Sequence, residues 1–64
     1  MKLIVHMKSN VRFEVKRDFK NRNHLRETAT RIGREGLLVE EHELEKGKEE
    51  FYPPEAIYKV TMLL

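Results

Sequence analysis

Apolar and polar side chains alternate twice within the first sixteen residues. Leu3, Val5 and Met7 are set between Lys2, Ile4, His6 and Lys8, and Val11, Phe13 and Val15 alternate with Arg12, Glu14 and Lys16. A period of two marks a strand with one covered face. If the two apolar sets share that face, Met7 pairs with Val11, Val5 with Phe13 and Leu3 with Val15. Lys8-Ser9-Asn10 is then the loop. Three-residue hairpin loops place their last residue in the left-handed region, which Asn tolerates better than most residues.

The period then changes. Leu25, Ala29 and Ile32 stand at i, i+4 and i+7, a narrow apolar stripe on a helix. Asn21 or Asn23 is its N-cap, because an Asn side chain accepts from the free N–H groups of the first turn. Gly36 stands where a C-terminal cap belongs, with Arg34 in the last turn. Gly33, four residues past Ala29, has two readings: close approach of the helix to a sheet, or simple tolerance at a cost of about 1 kcal/mol against Ala.

Leu37-Leu38-Val39 opens a third strand, expected to run through His42 and Leu44 to a turn at Glu45-Lys46-Gly47-Lys48. An even-length connection puts Leu44, His42 and Phe51 on one face, whereas an odd one would set Leu44 with Lys48 and Glu50. The even form is expected, either as a primed turn on Lys46-Gly47 or as a four-residue loop. Pro53-Pro54 ends the next strand, since proline cannot donate to a ladder. Residues 56–64 form the last one. Tyr58, Val60 and Met62 fall on one of its faces, and Ile57, Lys59, Thr61 and Leu63 on the other. Tyr58 is expected in the core, with Tyr52 covering the hairpin.

The element order ββ-α-βββ implies an α+β fold in a single domain over residues 1–64, with one helix packed on one face of a mainly antiparallel sheet. The other face would carry Ile4, His6 and Leu63, with Leu37 beside them. That is more apolar than a solvated face requires, so these residues form a candidate dimer face.

The chain has 64 residues, 39% apolar and 38% charged, with no Cys and no Trp. A domain of this size buries only about 60% of the surface of its unfolded chain. Without cysteine it has neither disulfides nor a thiolate zinc site, which makes association with a second copy the expected extra support. The apolar run at the N-terminus is too short for a signal-peptide core and lacks a small-residue cleavage site. No run approaches the ~20 residues of a membrane span. The expectation is a soluble cytoplasmic protein.

Charge is divided along the chain. Residues 1–36 hold ten Lys and Arg against four Asp and Glu, a balance of +6. Residues 37–64 hold three against seven, a balance of −4, and the sum is the net +2. The basic stretch 16–34 makes Arg17, Lys20, Arg22 and Arg26 candidate phosphate contacts beside a helix N-terminus. The competing reading is a solvated face, partly neutralised by the acidic hairpin of the same or a neighbouring chain. No recognition-helix, zinc-finger or aromatic RNA-binding signature accompanies the basic stretch.

The acidic run from Glu40 to Glu45 does not suggest a metal site. On a strand, Glu41, Glu43 and Glu45 would point to one side and Glu40 and His42 to the other. Catalysis is also thinly supplied. Ser9 is the only Ser, Asp18 the only Asp, and the three His are scattered. No phosphate-cradling glycine loop is present among Gly33, Gly36 and Gly47. The reading is therefore of a protein that is not an enzyme and needs no cofactor or metal.

The segment Lys46-Gly47-Lys48-Glu49-Glu50-Phe51-Tyr52-Pro53-Pro54-Glu55-Ala56-Ile57-Tyr58-Lys59-Val60 resembles the ends of small uncharacterised bacterial and phage-borne α+β proteins. Those combine a Lys-Gly turn, an aromatic-Pro step and a closing Ile-x-x-Val strand. The opening hairpin is similar to their starts, and the Pro-Pro pair departs from their usual single Pro. The resemblance implies an α+β fold and no catalytic activity.

The sequence does not determine a biochemical function. Its leading expectation is a small protein-interaction module, homodimeric, engaged through a sheet edge or the face of Ile4, His6 and Leu63. The alternative is a nucleic-acid-associated accessory or regulatory protein using the basic segment 16–34.

Overall fold

A computed structural model describes all 64 residues. Strands β1 (Lys2–Met7) and β2 (Arg12–Glu14) precede helix α1 (Arg22–Glu35). Strands β3 (Leu37–Val39), β4 (Glu50–Tyr52) and β5 (Ile57–Leu63) follow, with single 3-10 turns at Glu41–Glu43 and Pro54–Ala56. This is the expected α+β order.

The first hairpin has the expected register. Val5 faces Phe13 and His6 faces Arg12. Hydrogen bonds from Met7 N to Val11 O and from Val15 N to Leu3 O extend the pairing at both ends. Asn10 closes the loop at φ 69°, the left-handed conformation that the loop length requires.

Asn21, not Asn23, caps α1, accepting from the His24 N–H at 2.8 Å. Gly36 ends the helix at φ 98° and donates its N–H to the Ile32 carbonyl. Leu25, Ala29 and Ile32 are buried as the stripe predicts. Gly33 is the tolerant case, because a Cβ built there meets nothing within 4 Å. Gly36 is the close approach instead. A Cβ on it would stand 2.5 Å from the Tyr52 carbonyl oxygen and 2.9 Å from the Phe51 ring.

The five strands form two antiparallel sheets rather than one: β2-β1-β5 with three strands and β3-β4 with two. β3 stops at Val39 and does not run on through His42 and Leu44. The cause is Glu43, whose carboxylate accepts from the backbone N–H of Glu40 at 3.3 Å and of Lys16 at 3.1 Å. This winds Glu41–Glu43 into a turn. A second turn follows at Glu45–Lys48, with Lys48 N bonded to Glu45 O and Gly47 at φ 82°. The connection runs through residues 40–49, longer than two or four, but its even length keeps Leu38 opposite Phe51.

Leu3, Val5, Met7 and Val15 meet Leu25, Ala29 and Ile32 of the helix in one core, joined by Leu37 and Val39. Leu37 is 1% exposed and belongs to this core, not to the uncovered face. Its neighbour Leu38 points outward, as alternation in β3 demands.

Tyr58 is also displaced from its expected position. β1 and β5 pair as Val5↔Val60 and His6↔Lys59, but Met7 faces Ile57. One residue of β5 is extra, and the bulge reverses the alternation beyond it. Ile57 takes the inner position and Tyr58 is left 70% exposed. Tyr52 covers the hairpin as expected, its ring centroid 5.1 Å from that of Phe13.

Candidate nucleic-acid interface

The four candidate phosphate contacts separate into two kinds. Arg17 is committed internally: its guanidinium donates to the Leu38 carbonyl at 2.7 Å, and its Nε lies 3.6 Å from the Glu43 carboxylate. Lys20 is exposed, and its backbone N–H is held by His24 Nδ1 at 3.1 Å. Arg22 and Arg26 are exposed one helical turn apart, and neither makes an ion pair.

The stripe of Leu25, Ala29 and Ile32 fixes which side of α1 meets the core. At 100° per residue, Arg34 then stands opposite the stripe, Arg26 and Arg31 lie on its two flanks, and Arg22 falls next to Ala29 on the stripe's own side. All four are exposed. Their acidic company on the helix is Glu27 and Glu35, and the one ion pair formed is Arg34 with Glu35 at 3.1 Å. Arg31 and Arg34 were part of the basic stretch in the sequence, and the stripe's phase would have placed them, like Arg26, off the buried side. The first turn does not offer all its N–H groups to an anion, since Asn21 already takes that of His24.

Ile4, His6 and Leu63 share the uncovered face of the three-stranded sheet. Ile4 and His6 are half-buried and Leu63 is exposed. His6 Nε2 lies 2.9 Å from Thr61 Oγ1. The cross-strand pairs also bring together residues that the sequence reading left apart. His6 stands between Arg12 on β2 and Lys59 on β5. Ile4 stands between Glu14 and Thr61, and Lys2 faces Leu63. Beside the two aliphatic side chains, this face thus holds Lys2, Arg12 and Lys59 against Glu14. Register is the signal that reveals it. The bulge brings Tyr58 alongside, with Lys59 Nζ 5.8 Å from its ring centroid.

The acid is concentrated in one segment. Residues 40–50 carry six Glu against two Lys, a balance of −4, which leaves +6 on the rest of the chain. Lys48–Glu50 and His42–Glu40 pairs form within this segment. Arg17–Glu43 is the one ion pair between it and the basic stretch, beside the Lys16 N–H that Glu43 also accepts. The Glu43 side chain is 6% exposed, so its charge is held by Arg17 and two backbone N–H groups rather than by water. Tyr52 donates its hydroxyl to Glu50 at 2.8 Å. That bond, then partial burial and the Glu50 charge, raise the phenol pKa.

His6, His24 and His42 engage Thr61, Lys20 N and Glu40 respectively, in three separate places. No three of the His, Asp and Glu side chains gather as metal ligands. No helix is long and apolar enough to cross a membrane. The chain matches no protein-family model, and neither a curated protein nor a solved structure is significantly similar to it.

Proposed function

We propose that the protein is a non-catalytic module that binds nucleic acid, with the exposed arginines of α1 as its phosphate contacts. The observation that carries this reading is that Arg22, Arg26 and Arg31 have no acidic partner in a chain with eleven acidic residues. Mutual repulsion of exposed guanidinium groups is a standing cost that a polyanion removes. Each phosphate neutralised releases a counterion, so binding should weaken steeply with salt. Fluorescence anisotropy on random-sequence DNA and RNA, at low and physiological salt, tests the reading. Micromolar binding with a steep salt slope supports it; no binding at low salt ends it.

A second reading is protein interaction by self-association through β5. This strand is an edge of its sheet for seven residues, and its own Met62 and Leu63 are exposed. The odd residues of β1 bond to β2, so its even residues face β5, and the N–H groups of Val60 and Met62 point out of the sheet. An unpaired edge of this kind is a template for another strand. Met62→Pro removes an outward N–H without removing a bond to β1. Sedimentation equilibrium should show a dimer that this variant converts to monomer; a wild-type monomer at all concentrations rejects the reading.

A further inference from the structure

We infer that the uncovered face of the β2-β1-β5 sheet is a second nucleic-acid site, which takes an unpaired strand. Tyr58 is its base-stacking side chain, and Arg12, Lys59 and Lys2 are its phosphate contacts. The inference rests on the reading above for the class of ligand and uses the opposite side of the molecule.

Three observations meet here. The first is charge. Lys2, Arg12 and Lys59 stand on this face against Glu14 alone, and none of the three forms an ion pair. A second copy stacked on this face would set these cations against themselves, so the face favours an anionic occupant. The second is spacing. Arg12 and Lys59 flank His6 on neighbouring strands, which puts their backbones about 10 Å apart across β1. A flexible anionic chain can reach both. The third is the aromatic ring. The bulge opposite Met7 leaves Tyr58 70% exposed, with Lys59 Nζ 5.8 Å from its centroid.

These features together select single strands over duplex. An exposed ring stacks on any base face that is free, whatever the sequence. In a duplex the base faces are already stacked on one another. His6 and Thr61, hydrogen-bonded to each other at the centre of the face, add polar edges beside the ring.

The test is anisotropy with a fluorescein-labelled 15-nucleotide oligo-dT and a 15-base-pair duplex. Far-UV circular dichroism confirms that each variant is folded, which surface changes on formed strands should allow. Tyr58→Ala should weaken oligo-dT binding by about ten-fold and leave duplex binding unchanged. Tyr58→Phe, which keeps the ring, should bind oligo-dT as the wild type does. The pair Arg12→Glu and Lys59→Glu should weaken oligo-dT binding and flatten its salt slope by about one to two. Wild-type oligo-dT affinity in Tyr58→Ala, or an equal loss on duplex, overturns the site. If Arg22→Glu with Arg26→Glu abolishes all binding while the sheet variants change nothing, the sheet site falls and the α1 reading stands. If only the sheet variants matter, the α1 reading falls and this one stands. No binding of either probe at low salt overturns both.

Discussion

The guanidinium of Arg17 donates to the carbonyl of Leu38 across 2.7 Å, tying the segment that leads into α1 to the strand that leaves it. The helix is thereby clamped at both ends of its path. One of the seven basic residues of 16–34 is a structural residue, and its neighbours in sequence are not.

Replacing Arg17 with Ala should therefore lower stability by about 1–2 kcal/mol, the scale of a charge-assisted hydrogen bond on a partly exposed group. It also leaves the Glu43 carboxylate without its cation. The loss should appear as a lower urea midpoint with an unchanged slope. Nucleic-acid binding should keep its wild-type salt slope, because this guanidinium faces inward.

Arg22→Glu with Arg26→Glu should do the reverse. The unfolding free energy from urea titration should stay within about 0.5 kcal/mol of wild type, as expected for exposed positions away from packing. Affinity for duplex DNA should fall for every sequence alike, and the salt slope should drop by about two. Lys48→Glu, in the acidic segment, serves as the control and should change binding little.

Gly36→Ala should be the most damaging small change in the chain. The residue has φ 98°, and a Cβ would press on the Tyr52 carbonyl and the Phe51 ring. A side chain at φ 98°, ψ 176° costs about 1–3 kcal/mol in backbone strain alone. The clash with backbone adds to it, since β4 must move off the helix end. The corresponding change Gly33→Ala meets open space and should stabilise by up to about 1 kcal/mol. Thermal unfolding of the two variants should shift in opposite directions.

Tyr52 should make stability fall at alkaline pH. Its pKa is raised by the hydrogen bond to Glu50, by desolvation and by the Glu50 charge. The folded state thus holds this proton more tightly than the unfolded chain does. The resulting stability is complete below the unfolded phenol value of about 10 and is lost as pH rises through the higher folded value. In a Tyr58→Phe background, phenolate absorbance should report Tyr52 alone and rise above the ordinary phenol range. Glu50→Gln should bring it back toward that range, and Tyr52→Phe should remove this part of the alkaline destabilisation.

Elements whose determinants are local were legible in the sequence. Leu3 to Val15 carry a parity that admits one hairpin register, and Asn10 supplies the left-handed residue that the register needs. The stripe Leu25, Ala29 and Ile32, with Asn21 and Gly36 at its ends, defines α1. What was not legible depends on contacts between distant segments. Glu43 bends the chain after Val39 because it can reach the N–H of Lys16, 27 residues away. Leu37 is buried because β3 leaves the three-stranded sheet. Tyr58 is exposed because β1 and β5 differ by one residue, and a bulge has no signature in an Ile-Tyr-Lys-Val run. The candidate site divides the same way. Arg22 and Arg26 were legible as exposed helical positions, whereas Arg17 looked equivalent to them until Leu38 was placed beside it. The row Arg12, His6, Lys59 needed the register of two strand pairs.

The acidic segment 40–50 has a consequence for how the protein meets a ligand at all. A body of net charge +2 is only weakly drawn to a polyanion as a whole. One whose residues 40–50 carry −4 while the rest of the chain carries +6 has its charge unevenly shared. Within a Debye length of about 8 Å, a phosphate backbone repels the first and attracts the second. On the proposed function, residues 40–50 should be the part of the surface that avoids the phosphate backbone.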